Sequence, residues 1–247
     1  MSLKVKVSAV IKSIFWTIVV LIFPIASGVL SAILALDTIQ TLFLQGIFMC
    51  AAIIPPALLV LSGKWHWSEI GFDKYDFEGC KRACFFIPLL AIFVPVAVRG
   101  FYIKSLEYVL GSLFLYFFVG VAEEIYFRGI IPKCLKNAFS SKGVIIVSTI
   151  VFGIGHIASA FGGDNLFAII LTVINALIFG WLAIEIAVLS KNITPAILVH
   201  FLFDFETKIV AMSGNELLIA EGIRGTVMFI LAFWMAFVAR KHNKKFV

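Results

Sequence analysis

Apolar runs of bilayer-spanning length recur along the whole of this 247-residue chain. A spanning helix needs about 20 predominantly apolar residues. Eight stretches fall near that length: 12–36, 40–62, 83–99, 107–131, 143–160, 166–189, 193–211 and 223–240. The chain is 62% hydrophobic and 14% charged, with a mean hydropathy of +1.09, whereas a soluble domain carries about 25% charged residues. The expected class is therefore all-α, a polytopic integral membrane protein with about eight transmembrane helices, forming one membrane domain over 1–247. The net charge of +6 does not mark a nucleic-acid partner, because the basic residues lie between apolar runs rather than in one patch. Cys50, Cys80, Cys84 and Cys134 form no CxxC pair, and no disulfide framework is implied. Lys4, Lys6 and Lys12 precede an apolar run that continues to about residue 36. That run is longer than a signal-peptide core, so it reads as a retained first helix.

The breaks carry turn and charge signals. Asp37 divides the first two runs, and Ser62 to Arg82 is the longest polar segment, with Trp65, Trp67 and Tyr75 as aromatics suited to a membrane interface. Pro132 is expected to end the fourth helix, and Gly162, Gly163 and Asp164 separate the fifth from the sixth. Thr194 reads as the N-cap of the seventh, with Pro195 in its first turn. The segment 212–222, with Glu216 and Glu221, reads as a loop or a short interfacial helix. With the N-terminus inside, the inner segments hold fifteen Lys and Arg residues, and the outer ones hold Arg99, Lys104, Lys208 and Arg224. Cytoplasmic loops carry the basic excess. Both termini are therefore expected in the cytoplasm, with the protein in the plasma (cytoplasmic) membrane.

Against this background a few polar residues stand out. Glu123 and Glu124 sit side by side in an apolar stretch, with Arg128 four residues after Glu124. A charge at the centre of a spanning helix costs from about 2.5 to more than 10 kcal/mol, and its presence there is a functional hypothesis by default. His156, and the pair His200 and Asp204, add further polar groups in apolar surroundings. At a rise of about 1.5 Å per residue, Glu123 lies roughly 13 Å, His200 roughly 10 Å and His156 roughly 20 Å from the inner ends of their helices. Those depths allow the side chains to meet in the inner half of the membrane. Glu124 with Arg128, Phe152 with His156, and His200 with Asp204 are each four residues apart and share a helix face.

Each element also has a plainer reading. Glu124 and Arg128 suit a buried ion pair, His156 a core histidine bonded to a backbone carbonyl, and His200 with Asp204 an interhelical clamp worth about 1 kcal/mol. One arginine cannot balance two carboxylates, so Glu123 is the residue these readings explain least. Together, an acidic pair, two imidazoles and a further acid in a low dielectric can activate water. A carboxylate serves as general base, and imidazoles supply hydrogen bonds or ligate a metal.

The order of these elements resembles the CPBP intramembrane proteases, the CAAX-protease and bacteriocin-processing or self-immunity (Abi) family. The family's EExxxR is matched by Glu123, Glu124 and Arg128, its FxxxH by Phe152 and His156, and its histidine followed by Asn or Asp by His200 and Asp204. The motif-bearing core covers about 107–211. The resemblance implies an eight-helix intramembrane endopeptidase acting on a membrane-associated protein or peptide in the lipid bilayer. By the same analogy Glu123 activates water with His156, His200 and Asp204 hold the substrate carbonyl and its oxyanion, and Glu124 and Arg128 position the first group. The prenyl-protein processing members carry Asn where this chain has Asp204, and an ionised Asp cannot donate a hydrogen bond. Asp204 must then be protonated, orient His200, or bind a metal. Glu123, His156, His200 and Asp204 together would suit a divalent ion such as zinc, although the chain has no HExxH. The alternatives are a catalytically inactive immunity or regulatory membrane protein and a proton-coupled transporter using the acidic pair as a relay.

Overall fold

The computed structural model describes residues 2–82, 86–157 and 166–241. Helices make up almost all of the regular structure, and the described residues contain two isolated β-bridges and no strand. Helix α1 spans Leu3–Ile33, α2 Thr38–Ala51 and α3 Ile54–Leu61. A 3₁₀ turn, Trp67–Ile70, and the short helices α4 (Phe77–Arg82), α5 (Phe86–Leu90) and α6 (Val94–Ala97) follow. Then come α7 (Leu106–Glu124), a π-helical segment (Ile125–Ile130), α8 (Ile131–Leu135), α9 (Ser141–Gly155), α10 (Leu166–Ser190), α11 (Thr194–Ile209) and α12 (Gly214–Lys241).

Among the described residues five segments are long and apolar enough to cross a membrane: Leu3–Ile33, Thr38–Leu61, Leu106–Leu135, Leu166–Ser190 and Gly214–Lys241. By length and composition these five match the expected runs 12–36, 40–62, 107–131, 166–189 and 223–240, and the other three runs do not form helices of spanning length among the described residues. The run 83–99 is no single helix where it is described, but two short ones around Pro88 and Pro95. Proline has no N–H and its ring clashes with the carbonyl four residues back, so helices break there. The runs at 143–160 and 193–211 form α9 and α11, which have 15 and 16 residues. The boundary at Gly162, Gly163 and Asp164 lies outside the described residues.

Other boundaries shift for identifiable reasons. α1 begins at Leu3, because Lys4, Lys6 and Lys12 are good helix formers and extend the helix rather than precede it. Asp37 caps α2, accepting from the Gln40 backbone N–H at 2.9 Å while the Gln40 side chain accepts from Asp37 N–H at 3.1 Å. The second run kinks between α2 and α3 at Pro55 and Pro56. Pro56 cannot donate to the Ala52 carbonyl, and the Tyr126 hydroxyl does so instead at 3.0 Å. Thr194 is not the cap of α11. Ile193 holds the N-cap position without a side-chain bond, and the Asn192 side chain accepts from Thr194 N–H at 2.8 Å. The segment 212–222 is neither loop nor separate helix from Gly214 onward, because it opens α12.

Nor does Pro132 end its helix. The turn before it widens, with Ile131 N–H reaching the Tyr126 carbonyl five residues back. A wider turn leaves room for the proline ring, and the helix continues to Leu135. Such π-bulges recur at functional sites, and this one contains Arg128.

α10 packs against α9, α11 and α12, while α7 packs between α2 and α11. Gly120 permits the α7–α11 approach, since a Cβ there would lie 3.1 Å from the Ile197 carbonyl oxygen. The core is continuous around α10, with Phe152, Phe179, Leu182, Ala183 and Ile186 all buried.

Candidate active site

α7 and its π segment, α9 and α11 bring the predicted polar residues together. Glu124, at the last α-helical position of α7, is fully buried. Its Oε1 lies 2.8 Å from Arg128 Nη1 and 2.7 Å from His200 Nδ1. Glu124 thus joins a cation on its own helix to an imidazole on α11. Arg128 is 1% exposed and its guanidinium lies 4.1 Å from the Phe152 ring centre, so its face is covered by an aromatic. An ionised carboxylate only accepts hydrogen bonds, so beside Arg128 the hydrogen at His200 Nδ1 is donated to Glu124.

The far nitrogen of His200 then faces the other two acids. Nε2 is 3.8 Å from Glu123 Oε2 and 3.5 Å from Asp204 Oδ2. Glu123 Oε2 is buried and has no hydrogen-bond partner among the described residues. The gap from Nε2 to Glu123 is too long for a direct hydrogen bond. His156, at the C-cap of α9, donates from Nδ1 to the Phe152 carbonyl at 3.0 Å, which leaves Nε2 as its acceptor in the neutral form. Phe152 separates the two imidazoles, with ring centres 4.6 Å from His156 and 5.9 Å from His200. Phe179 covers His200 from the side at 4.8 Å.

An open cavity of about 470 Å³ adjoins these groups, lined by His156, His200 and Asp204 together with Asn175, Lys208 and Glu221. The six residues singled out from the sequence therefore surround one region, and the spacings of four residues place partners as expected. The 2.7 Å contact at His200 Nδ1 comes from Glu124, and Asp204 faces the opposite nitrogen at 3.5 Å.

The candidate metal ligands Glu123, His156, His200 and Asp204 do not gather as a ligand set. Among the described residues, no group of three or more His, Cys, Asp or Glu side chains is arranged to hold a metal ion. Both Nδ1 atoms are already committed, to Glu124 and to the Phe152 carbonyl.

Residues 105–205 match the family model described as "Type II CAAX prenyl endopeptidase Rce1-like". Over this stretch the chain is similar to type II CAAX prenyl endopeptidases, consistent with the resemblance to the CPBP intramembrane proteases. The matched stretch contains all three motifs, from α7 to the last turns of α11. No match was found among curated proteins or among solved structures. Family and apolar helices together make this an integral membrane protein.

Sequence reasoning missed a second buried charge cluster. Arg224, counted among the outer topology residues, is fully buried. Its Nη2 donates to the Phe203 carbonyl at 2.9 Å and lies 3.2 Å from Glu206 Oε2, and its Nη1 lies 3.0 Å from Glu221 Oε1. Glu221 belongs to the first turns of α12 and lines the cavity. Glu185 is also buried, accepting from Trp181 Nε1 at 3.0 Å. The signal that flagged Glu123, a charged residue inside an apolar run, was present for Glu185, Glu206 and Arg224 but not for Glu221.

Proposed function

We propose that this protein is an intramembrane endopeptidase that hydrolyses a peptide bond of a membrane-associated protein or peptide by glutamate-activated water. The observation that carries this reading is the unpartnered, buried Oε2 of Glu123, set 3.8 Å from an imidazole nitrogen that another carboxylate already holds in place. A buried acceptor without a partner is costly, and a water or substrate there supplies one.

In the proposed step a water sits between Glu123 and His156. Glu123 takes its proton, His156 Nε2 accepts its second hydrogen, and the oxygen attacks the substrate carbonyl carbon. His200 carries both protons in this step. Glu124 anchors Nδ1, and Nε2–H turns toward the carbonyl oxygen as negative charge develops there. Asp204 lies across Nε2 at 3.5 Å, beside the place where the carbonyl oxygen is held. Glu123 then passes its proton to the leaving amine nitrogen, which breaks the C–N bond and restores the carboxylate. Arg128 acts through Glu124 as a positioning residue.

The test is isotopic. Membranes holding wild-type protein, incubated in ¹⁸O-water, should accumulate new peptide C-termini carrying one ¹⁸O, and membranes holding Glu123→Ala should not. Equal labelled termini in both would sink the assignment.

A further inference from the structure

The two ends of the helix bundle are pinned by different loops. At one end lie the start of α1 and the end of α12. There the segment between α3 and α4 is tied to the α10–α11 turn: Asp76 N–H donates to the Ser190 carbonyl at 2.8 Å and the Asn192 side chain to the Asp73 carbonyl at 2.7 Å. Lys133, at the inner end of the motif helix, pairs with Glu69 of the same segment at 2.6 Å, and lines a cleft with Lys4 and Lys12 of α1. At the opposite end the α6–α7 connection pairs with the α11–α12 connection. Tyr102 N–H donates to the Ile209 carbonyl at 2.6 Å, Ala211 N–H to the Gly100 carbonyl at 3.0 Å, and Arg99 pairs with Glu216 at 3.2 Å.

The cavity beside the candidate catalytic residues belongs to the second end. It is lined by Phe152 and His156 from the last turn of α9, by Asp204 and Lys208 from the last turns of α11, and by the first turns of α10 and α12, out to Ala168 and Leu217. From the first end the way in is closed. Ile70 and Ile193 are fully buried, Gly129 of the π segment packs directly on the Ile70 backbone, and Gly71 packs on the Ile193 side chain. A smaller cleft of about 160 Å³ at that end reaches Arg128 and Gly129 but is not lined by His156, His200 or Asp204, which line the larger cavity; Glu123 lines neither and lies behind His200, 3.8 Å from its Nε2.

Charge tells the ends apart. Lys4, Lys6, Lys12, Lys64, Lys74, Lys81, Lys133, Lys136, Lys142, Lys191, Arg240 and Lys241 belong to the closed end, against Arg99, Lys104 and Lys208 at the open one. Basic residues in short connections stay on the cytoplasmic side.

We infer that the active-site cavity opens on the non-cytoplasmic face, so that the substrate is an exported peptide, or the outward-facing segment of a membrane-anchored protein, rather than a tail held at the cytoplasmic leaflet. This inference rests on the hydrolytic reading of the same site, and its test needs no substrate. In a background lacking the native cysteines, Thr172→Cys places a thiol in the cavity wall and Ser68→Cys places one in the cleft at the closed end. A membrane-impermeant maleimide applied to intact cells should modify Thr172→Cys fully and leave Ser68→Cys unmodified until the membrane is permeabilised. Leu217→Cys, at the rim of the same cavity, should behave as Thr172→Cys does. Labelling after denaturation verifies that each variant is present. If Thr172→Cys and Leu217→Cys are protected in intact cells and react only after permeabilisation, the inference is overturned. The hydrolytic reading would stand in that case, because it is decided separately by the Glu123 comparison in labelled water.

Discussion

Glu124→Gln is the perturbation for which the structure gives the largest consequence. One carboxylate oxygen is shared by Arg128 at 2.8 Å and His200 at 2.7 Å, and all three side chains are at least 96% buried. Glutamine keeps the shape but removes the charge, which leaves the Arg128 guanidinium buried without an anion at its head. Removing one partner of a buried pair costs about 3–5 kcal/mol. For a chain of this length each kcal/mol lowers the melting midpoint by about 2–4 °C, so the expected loss is on the order of 10 °C. The assay is thermal unfolding of purified protein in detergent micelles. Removing both charges, as Glu124→Leu with Arg128→Leu, should recover most of that stability, since apolar replacement of a whole buried pair is often neutral or favourable. It should not recover activity, because His200 then lacks the acceptor that fixes its ring. A Glu124→Gln variant that melts with the wild type, or a double variant no more stable than the worse single one, would refute the argument that this pair is a balanced buried unit.

Three further outcomes follow from the same geometry. Asp204→Asn keeps the side-chain shape and adds a donor, so cleavage should persist within about tenfold and be insensitive to chelator, as fits a group that faces Nε2 rather than one that fixes the ring. Loss of activity that added zinc restores would instead make Asp204 a metal ligand. The hydrogen bond from Lys133 to Glu69, followed by that from His66 N–H, holds the Glu69 carboxyl below its ordinary value of 4.5. The stability this contact lends to the closed end is present above pH 4.5 and is lost as pH falls further, when Glu69 protonates. Protease nicking of the 62–82 segment should therefore rise on acidification in the wild type, and Glu69→Gln should show the raised rate already at neutral pH.

The site was more legible than the fold because a bilayer penalises stray charge. Glu123, Arg128 and His200 stand out in their apolar runs, and spacing by four residues predicted the Glu124–Arg128 contact and the shared face of His200 and Asp204. Which acid grips His200 was not legible. That depends on how α7 and α11 rotate against each other, and the contact is set by Gly120 meeting the α11 backbone. The π turn that carries Arg128 past Pro132 has no composition signal of its own. Among the spans, Pro88 and Pro95 were visible warnings against a helix over 83–99. Arg224 was counted as an outer-end cation because the helix was begun only at residue 223; once it starts at Gly214, Glu221 and Arg224 lie one turn apart inside it.

The claim that Glu123 drives peptide hydrolysis is tested most directly by comparing peptide termini in cells that carry the wild-type protein with those in cells that carry Glu123→Gln at equal abundance. The variant keeps its volume, and the Glu124–Arg128–His200 unit is untouched, so it should accumulate and melt normally. The account predicts a defined set of cleaved membrane-protein or peptide termini present with the wild type and missing with Glu123→Gln. Identical sets of termini from the two would contradict it.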